Sequence, residues 1–239
     1  EATVFVNKNG ISNFQFPISN DQKSITYEDI RLAIMRKRDT WKIGYTLEFY
    51  PEEGKYHYTG HRNCKVVQTP EETKTKGAIC SVCGRKLTVG VMHRVEQLAQ
   101  PVRSSKFKVQ SDEFGTQWVY DKTGKHPPFV KLVPLLEIIA EALSSTVSSM
   151  KVKDSFEQLV SHFGSELTVL LKTNISEIEK LMGSRIAEGI QKVRSGDIVI
   201  APGFDGEYGK VKIWTEENQK LKIKDQNGEK ESKKQLGLF

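Results

Sequence analysis

Cys64, Cys80 and Cys83 are the only cysteines of this chain, and His61 stands three residues before the first of them. His61-x-x-Cys64 and Cys80-x-x-Cys83 are therefore two short ligand pairs with fifteen residues between them. A structural Zn²⁺ takes four nitrogen or sulfur ligands in a tetrahedron, and two tight turns that each present a pair supply them. Gly84, directly after Cys83, permits a positive φ that turns backbone N–H groups toward sulfur. The repeated spacing nominates His61 as fourth ligand, with His57 and His93 as alternatives in the same window. The competing readings are cysteines that simply pack in the core and a redox CxxC, but a redox pair needs no matching HxxC upstream. A catalytic zinc is a further alternative, since Glu52 and Glu53 lie close in sequence. A closed Cys3His set leaves no position for water, so the expectation is structural zinc.

At 239 residues the chain has room for one large domain or two or three small ones. Hydrophobic residues make up 37% and charged residues 28%, and no apolar run approaches the eighteen or so residues of a membrane span. No membrane partner is expected. Three cysteines grouped for metal do not form a disulfide framework, and no basic-apolar leader is present, which together point to a reducing, cytoplasmic compartment. The net charge of +6 favours a polyanionic partner, although lysine-rich solvated faces give similar totals. The chain opens on Glu1 rather than Met, and the expectation is a piece of a longer polypeptide.

Local patterning implies an α+β chain: a zinc-ribbon-like module, then a helical, helix-hairpin-helix-like region, a small β-hairpin and a disordered C-terminal tail. Thr3–Val6 reads as a strand, Asn9-Gly10 as a turn, Thr26–Asp29 as a capped helix start and Gly44–Tyr50 as an alternating strand. Leu87–Val91 reads as a strand leaving the second ligand pair, and Arg94–Ala99 as a short helix. Residues 101–131 are polar and turn-rich, and are expected as a linker or loop. Leu135–Leu143 is a strongly apolar helix. Another helix carries Phe156, Leu159, Val160 and Phe163 behind an Asp154 cap, stops at Gly164 and hands over to Ser165-Glu166. Ile175–Met182 and Ser184–Val193 are helices broken at Gly183, and Ile198–Ala201 with Tyr208–Trp214 form the hairpin. The expected divisions are 1–43, 44–100 for the zinc module, 101–131, 132–214 for the helical region, and 215–239 for the tail.

Two shorter patterns suggest partners. Phe163-Gly164-Ser165 together with Leu181 to Ile190 resembles the helix-hairpin-helix units of DNA-repair proteins. A glycine-broken turn at a helix start exposes N–H groups to phosphate, so Gly183, Arg185, Lys192 and Arg194 are candidate backbone contacts. A helical bundle with a basic rim is the plain alternative. The last five residues resemble the peptide by which bacterial proteins dock on the DNA polymerase sliding clamp. Gln235 would hydrogen-bond there while Leu236, Leu238 and Phe239 enter apolar subsites. Chance, or docking on the chain itself, would leave the same residues.

The broadest resemblance is carried by Leu47 to Cys64, by Thr69–Thr73, by Cys80 to Leu98, by Leu132–Leu143 and by Ala201–Ile213. These runs resemble endonuclease Q, a DNA-repair enzyme with an N-terminal polymerase-and-histidinol-phosphatase (PHP) metallophosphoesterase domain. The resemblance covers most of residues 1–214, with residues 101–125 departing in length and content. It implies that residues 1–43 are the end of the PHP domain, and that the catalytic divalent metal ions belong to the part of that domain absent from this chain. It further implies that the parent enzyme hydrolyses the phosphodiester 5′ to a deaminated base or abasic site, and that this chain binds DNA without cutting it alone. Tyr58, Arg62, Arg85, Lys86, His93 and Arg94 are then candidate DNA contacts, with Tyr56 and Lys65 beside them. Each of these taken singly is also an ordinary solvated or core-packed residue. The competing functions are a non-catalytic zinc-ribbon adaptor associated with a UvrD-type helicase, and a zinc hydrolase in its own right.

Overall fold

The structure is a computed structural model that describes residues 2–7, 25–37, 41–99 and 106–215. In chain order its first elements are β1 (Ala2–Asn7), α1 (Tyr27–Ile34), β2 (Trp41–Glu48), β3 (Thr59–His61), β4 (Val66–Gln68), α2 (Pro70–Lys76) and α3 (Val91–Leu98). Then come β5 (Phe107–Ser111), β6 (Gln117–Asp121), β7 (Phe129–Lys131) and α4 (Leu135–Ala142). The chain continues through α5 (Met150–Phe163), α6 (Glu166–Leu171), α7 (Ile175–Met182), α8 (Ser184–Ser195), β8 (Val199–Ala201) and β9 (Lys210–Lys212). The expected α+β class holds. The Asn9-Gly10 turn and the tail with its clamp-like peptide lie outside the described residues.

Five strands form one mixed sheet in the order β1-β2-β7-β6-β5. β1 runs antiparallel to β2, β2 pairs parallel with β7, and β7, β6 and β5 follow antiparallel. Helix α1 starts where the sequence places it: Asp29 N donates to Thr26 Oγ1 at 3.2 Å and Thr26 N donates back to Asp29 Oδ2 at 3.1 Å. It packs with Ile30 and buried Ala33 against buried Trp41 of β2.

Residues 106–131 correct the linker expectation, because they carry β5, β6 and β7 and complete the sheet. The turn that makes this possible is organised by one carboxylate. Asp112 Oδ1 accepts from Phe114 N and Thr116 N, its Oδ2 accepts from Trp118 Nε1 at 2.8 Å, and Gly115 supplies a φ of 79°. Trp118 in turn meets Tyr45 of β2 edge-on, with ring centroids 5.0 Å apart. The polar residues that suggested a linker are the turns of a strand pair.

Two smaller corrections concern element starts. Leu87–Val91 is not a strand: Lys86 and Thr88 make isolated bridges to Ile79 and Gly60, and Val91 already opens α3. Gly90 sets that boundary, because its N–H donates to Thr59 Oγ1 at 3.0 Å and a Cβ there would collide with the Tyr58 and Thr59 backbone. Helix α5 begins one turn before Asp154, capped by Ser149, whose hydroxyl accepts from Val152 N.

Helices α4 to α8 bury one apolar core against β2 and β7, with Leu135, Ile138, Ile139, Leu159, Ile178 and Ile190 fully enclosed. Each such aliphatic contributes roughly 1.5–3 kcal/mol by leaving water. Gly164 ends α5 at a φ of 93° and Ser165 caps α6, as the sequence indicates. Trp214 closes the core, its Nε1 donating to Glu188 Oε1 at 3.1 Å while Glu141 accepts from the Ile213 and Trp214 N–H groups.

Candidate metal centre and nucleic-acid face

The β8–β9 connection reaches back to the segment that holds the cysteines. Gly203 N donates to Glu52 O at 2.8 Å, Tyr58 N to Gly203 O at 2.9 Å, Gly206 N to Lys55 O at 3.0 Å and Gly209 N to Glu53 O at 3.0 Å. Phe204 lies over Gly60, where a Cβ would come within 2.5 Å of its Cδ2. The glycines here are needed for close backbone approach. The metal module is thereby fastened to the last hairpin as well as to the sheet.

His61 ends β3, and Cys64 ends the single 3-10 turn Arg62–Cys64 that follows it. Lys65 then takes a left-handed conformation, with φ 53°, and returns the chain into β4. On the other side, Gly84 N donates to Cys80 O at 2.9 Å and Cys80 N to Arg85 O at 2.7 Å, with Gly84 at φ 71°. These two turns face each other. The ligand atoms of His61, Cys64, Cys80 and Cys83 all lie within 4.8 Å of one another, and His61 Nδ1 stands 3.3 Å from Cys83 Sγ. A tetrahedron built on bonds of about 2.3 Å separates its corners by about 3.7 Å, so the cluster fits a metal ion of zinc's size.

The electrostatics agree with such an occupant. Burial pushes the Cys64 thiol up to about 11, and the neighbouring Cys83 and Cys80 sulfurs add to it. Burial also resists ionisation of Cys80, yet the Cys83 N–H, the His61 ring and the Val82 N–H bring its thiol down to about 6. The crowded sulfurs oppose one another's ionisation, and a divalent cation bound among them would favour their thiolate forms. The alternative histidines are elsewhere: His57 is buried with its ring 5.0 Å from Tyr58, and His93 points its Nδ1 toward Pro70 O, 3.3 Å away.

The site has a support that the sequence did not disclose. Asp205 accepts from Arg62 N at 2.8 Å and from the Thr88 hydroxyl, and the Thr88 contact with the Arg62 bond holds its carboxyl below the usual range. Lys65 pairs with Glu207 at 2.7 Å. The glycine-rich run Pro202–Gly209 was the only available signal, and it does not say what it packs on.

The candidate DNA contacts separate into two groups. Arg62, Arg85, Lys86 and Arg94 are exposed on the metal module, as is Tyr56, whereas Tyr58 and His93 are half-buried. His93 Nε2 contacts Gln97 Nε2 at 2.9 Å, so its ring is occupied within α3 and against α2. The second group is engaged in the fold. Gly183 joins α7 to α8 at a φ of 85°, but Arg185 lies over the Trp214 ring at 3.6 Å and pairs with Glu188, and Lys192 pairs with Asp197. Arg194 corrects the phosphate-contact expectation outright: it is 1% exposed. Its guanidinium donates to the Leu170, Val169, Thr173 and Phe114 carbonyls at 2.7–3.1 Å. A helix-end cation is usually solvated, but here the carbonyls left over at the end of α6 turn onto it.

Residues 134–197, spanning α4 to α8, match the family described as the MJ0043 C-terminal domain. An uncharacterized protein, MJ0043, of Methanocaldococcus jannaschii is 32% identical over 185 residues, which is 77% of this chain and 21% of the relative. Among solved structures, the lesion-specific endonuclease PfuEndoQ of Pyrococcus furiosus is 32% identical with a TM-score of 0.64, over 86% of this chain and 46% of that one. Endonuclease Q in complex with a 27-mer duplex bearing an abasic lesion at its active site is 30% identical, with a TM-score of 0.62, over 81% and 44%. The resemblance to endonuclease Q read from the sequence is therefore shown in three dimensions across most of the chain. The chain spans about a fifth of the curated relative and less than half of each solved chain.

Proposed function

We propose that this chain is the DNA-binding, zinc-stabilised portion of a lesion-directed repair endonuclease of the endonuclease Q kind. The observation that carries this reading is the likeness to PfuEndoQ over 86% of the chain at 32% identity. The related complex with a duplex containing an abasic lesion indicates the kind of substrate. Zn²⁺ is the metal best suited to His61, Cys64, Cys80 and Cys83, because three thiolates and one imidazole in a closed tetrahedron are its characteristic structural set. It would hold the two turns together and so fix the exposed Arg62, Arg85, Lys86 and Arg94 on a rigid module, available to phosphates.

In this reading the complete enzyme cleaves the phosphodiester 5′ to a deaminated base or abasic site. Divalent ions, if held by a PHP domain outside this chain, would supply an activated water for that hydrolysis. The chain itself contributes grip and orientation in the cytoplasm, where its thiols stay reduced. Gln235, Leu236, Leu238 and Phe239 would tether the protein to a sliding clamp, a reading that rests on the sequence alone.

The test is fluorescence anisotropy of the purified chain with duplexes carrying uracil, hypoxanthine or an abasic site, and with an undamaged control, across about 50–200 mM salt. Affinity that falls steeply with salt and is higher for the lesion duplexes supports the reading. No binding at the lowest salt removes it. Nicking by the chain with added Mn²⁺ or Mg²⁺ would overturn the assignment of catalysis to the PHP domain, and clamp binding that survives deletion of residues 235–239 would remove the tether.

A further inference from the structure

The β5–β6 ribbon is anchored at its turn. Its turn is bound into the core by the Asp112 network, by Trp118 against Tyr45, and by the buried Arg194 guanidinium donating to Phe114 O at 3.1 Å. Its open end is different. All five residues of β5 are exposed and, among the described residues, β5 pairs with β6 alone and forms the edge of the sheet. Lys122 N donates to Lys106 O at 2.8 Å, which sets those two residues opposite each other, and Lys108 faces Tyr120 with its Nζ 5.5 Å from the ring centroid.

Strand alternation therefore places Lys106, Lys108, Tyr120 and Lys122 on one face, with Lys106 and Lys108 about 7 Å apart. Lys125 lies exposed in the following turn. The carboxylate at this end, Asp121, is occupied by the Thr123 hydroxyl and N–H and by the Lys125 and His126 N–H groups. Among the described residues, Lys106, Lys108 and Lys125 have no carboxylate partner in an ion pair. Lysines on an edge strand commonly serve to discourage strand addition. That purpose does not account for Lys125, which stands in the β6–β7 turn.

We infer that the β5–β6 ribbon is a second DNA contact, outside the metal module, in which Lys106, Lys108 and Lys125 hold the phosphodiester backbone. A polyanion is the occupant that matches a rigid arm with a cationic, aromatic-bearing open end, and a β-ribbon is narrow enough to lie along a groove. The inference rests on the DNA-binding reading above.

The experiment uses the whole chain with metal bound and a variant combining Lys106→Gln, Lys108→Gln and Lys125→Gln. Each phosphate contact adds about 0.9 to the slope of log affinity against log salt, so the variant's slope should be shallower by about 2–3, with metal content and Tm unchanged. Replacing Arg85 and Lys86 by Gln should lower the slope further and additively. An unchanged slope in a folded, metal-loaded triple variant overturns the inference. So does an unchanged slope accompanied by new dimers in sedimentation, which would assign the lysines to keeping the edge from pairing with a second copy. If the unmodified chain shows no DNA affinity at low salt, the parent reading fails first, and that outcome is distinct from a failure of the ribbon alone.

Discussion

The Asp205 carboxylate reaches across 143 residues of chain to accept the Arg62 N–H at 2.8 Å, directly between two metal-ligand candidates. Its other oxygen takes the Thr88 hydroxyl, so one side chain joins both halves of the metal module to the last hairpin. Asp205→Ala should leave the Arg62 N–H to water and cost about 0.5–1.5 kcal/mol in stability. Because the bond orients the turn that carries His61 and Cys64, metal affinity should fall by roughly 10–100-fold, measured by chelator competition. Unaltered affinity would mean that the two turns are held by the metal alone.

Substitution of the histidines one at a time separates the ligand from its neighbours. His61→Ala should reduce bound zinc from about one per chain to near none, because three ligands remain in an otherwise closed site. His57→Ala and His93→Ala should keep the metal, since those rings lie against Tyr58 and toward Pro70 O respectively. Elemental analysis of the three variants decides the matter, and metal loss in either of the last two would move the fourth ligand.

Arg194 offers a test of fold rather than of binding. Its burial and the four carbonyls it serves predict that Arg194→Ala destabilises the chain by about 3–5 kcal/mol, read from urea denaturation. Burial draws its pKa down to about 10, still high enough for the guanidinium to remain charged at neutral pH. In conditions where the variant is folded, the salt dependence of DNA binding should be unchanged. A shallower slope would return Arg194 to the phosphate contacts.

A cleft lined by Glu53, Glu137 and Glu141 gives the chain a pH-dependent weakness. Burial raises the Glu53 pKa, with Glu137 and Glu52 adding to it, and burial raises that of Glu137. Carboxyls with raised folded-state values favour the fold fully below the unfolded value of about 4.3, and that contribution disappears as pH rises through the folded values. Glu137→Gln removes one charge from the pair. It should give a small increase in Tm at pH 7 that vanishes near pH 4, followed by calorimetry at both values. A decrease at pH 7 would show that Glu137 has a stabilising partner instead.

The parts of the fold that were legible in the sequence are those that neighbouring residues determine. His61-x-x-Cys64 and Cys80-x-x-Cys83 are complete within four residues each, and Gly84, Gly164 and the Thr26 and Ser165 caps act within one turn. Arg194 and the Asp112 hairpin were not legible, for a common reason. A charged residue near a helix end, and a polar run with scattered aromatics, have a local appearance that solvent exposure explains well. Their actual positions depend on Leu170, Tyr45 and other groups far away in sequence. The alternation in β5 and β6 spans only five residues each, too little to outweigh the turn residues around it.

The parallel pairing of Thr46 with Phe129 and Glu48 with Lys131 has a consequence for the order of assembly. A chain emerging from the ribosome exposes β2 long before β7 exists, and both ligand pairs of the metal module are synthesised in between. The half-built sheet must wait for its central neighbour, so metal capture can shorten the intervening excursion before the strands meet. Ion supply during translation would then influence how much of the newly made chain matures, independently of any effect on the finished molecule.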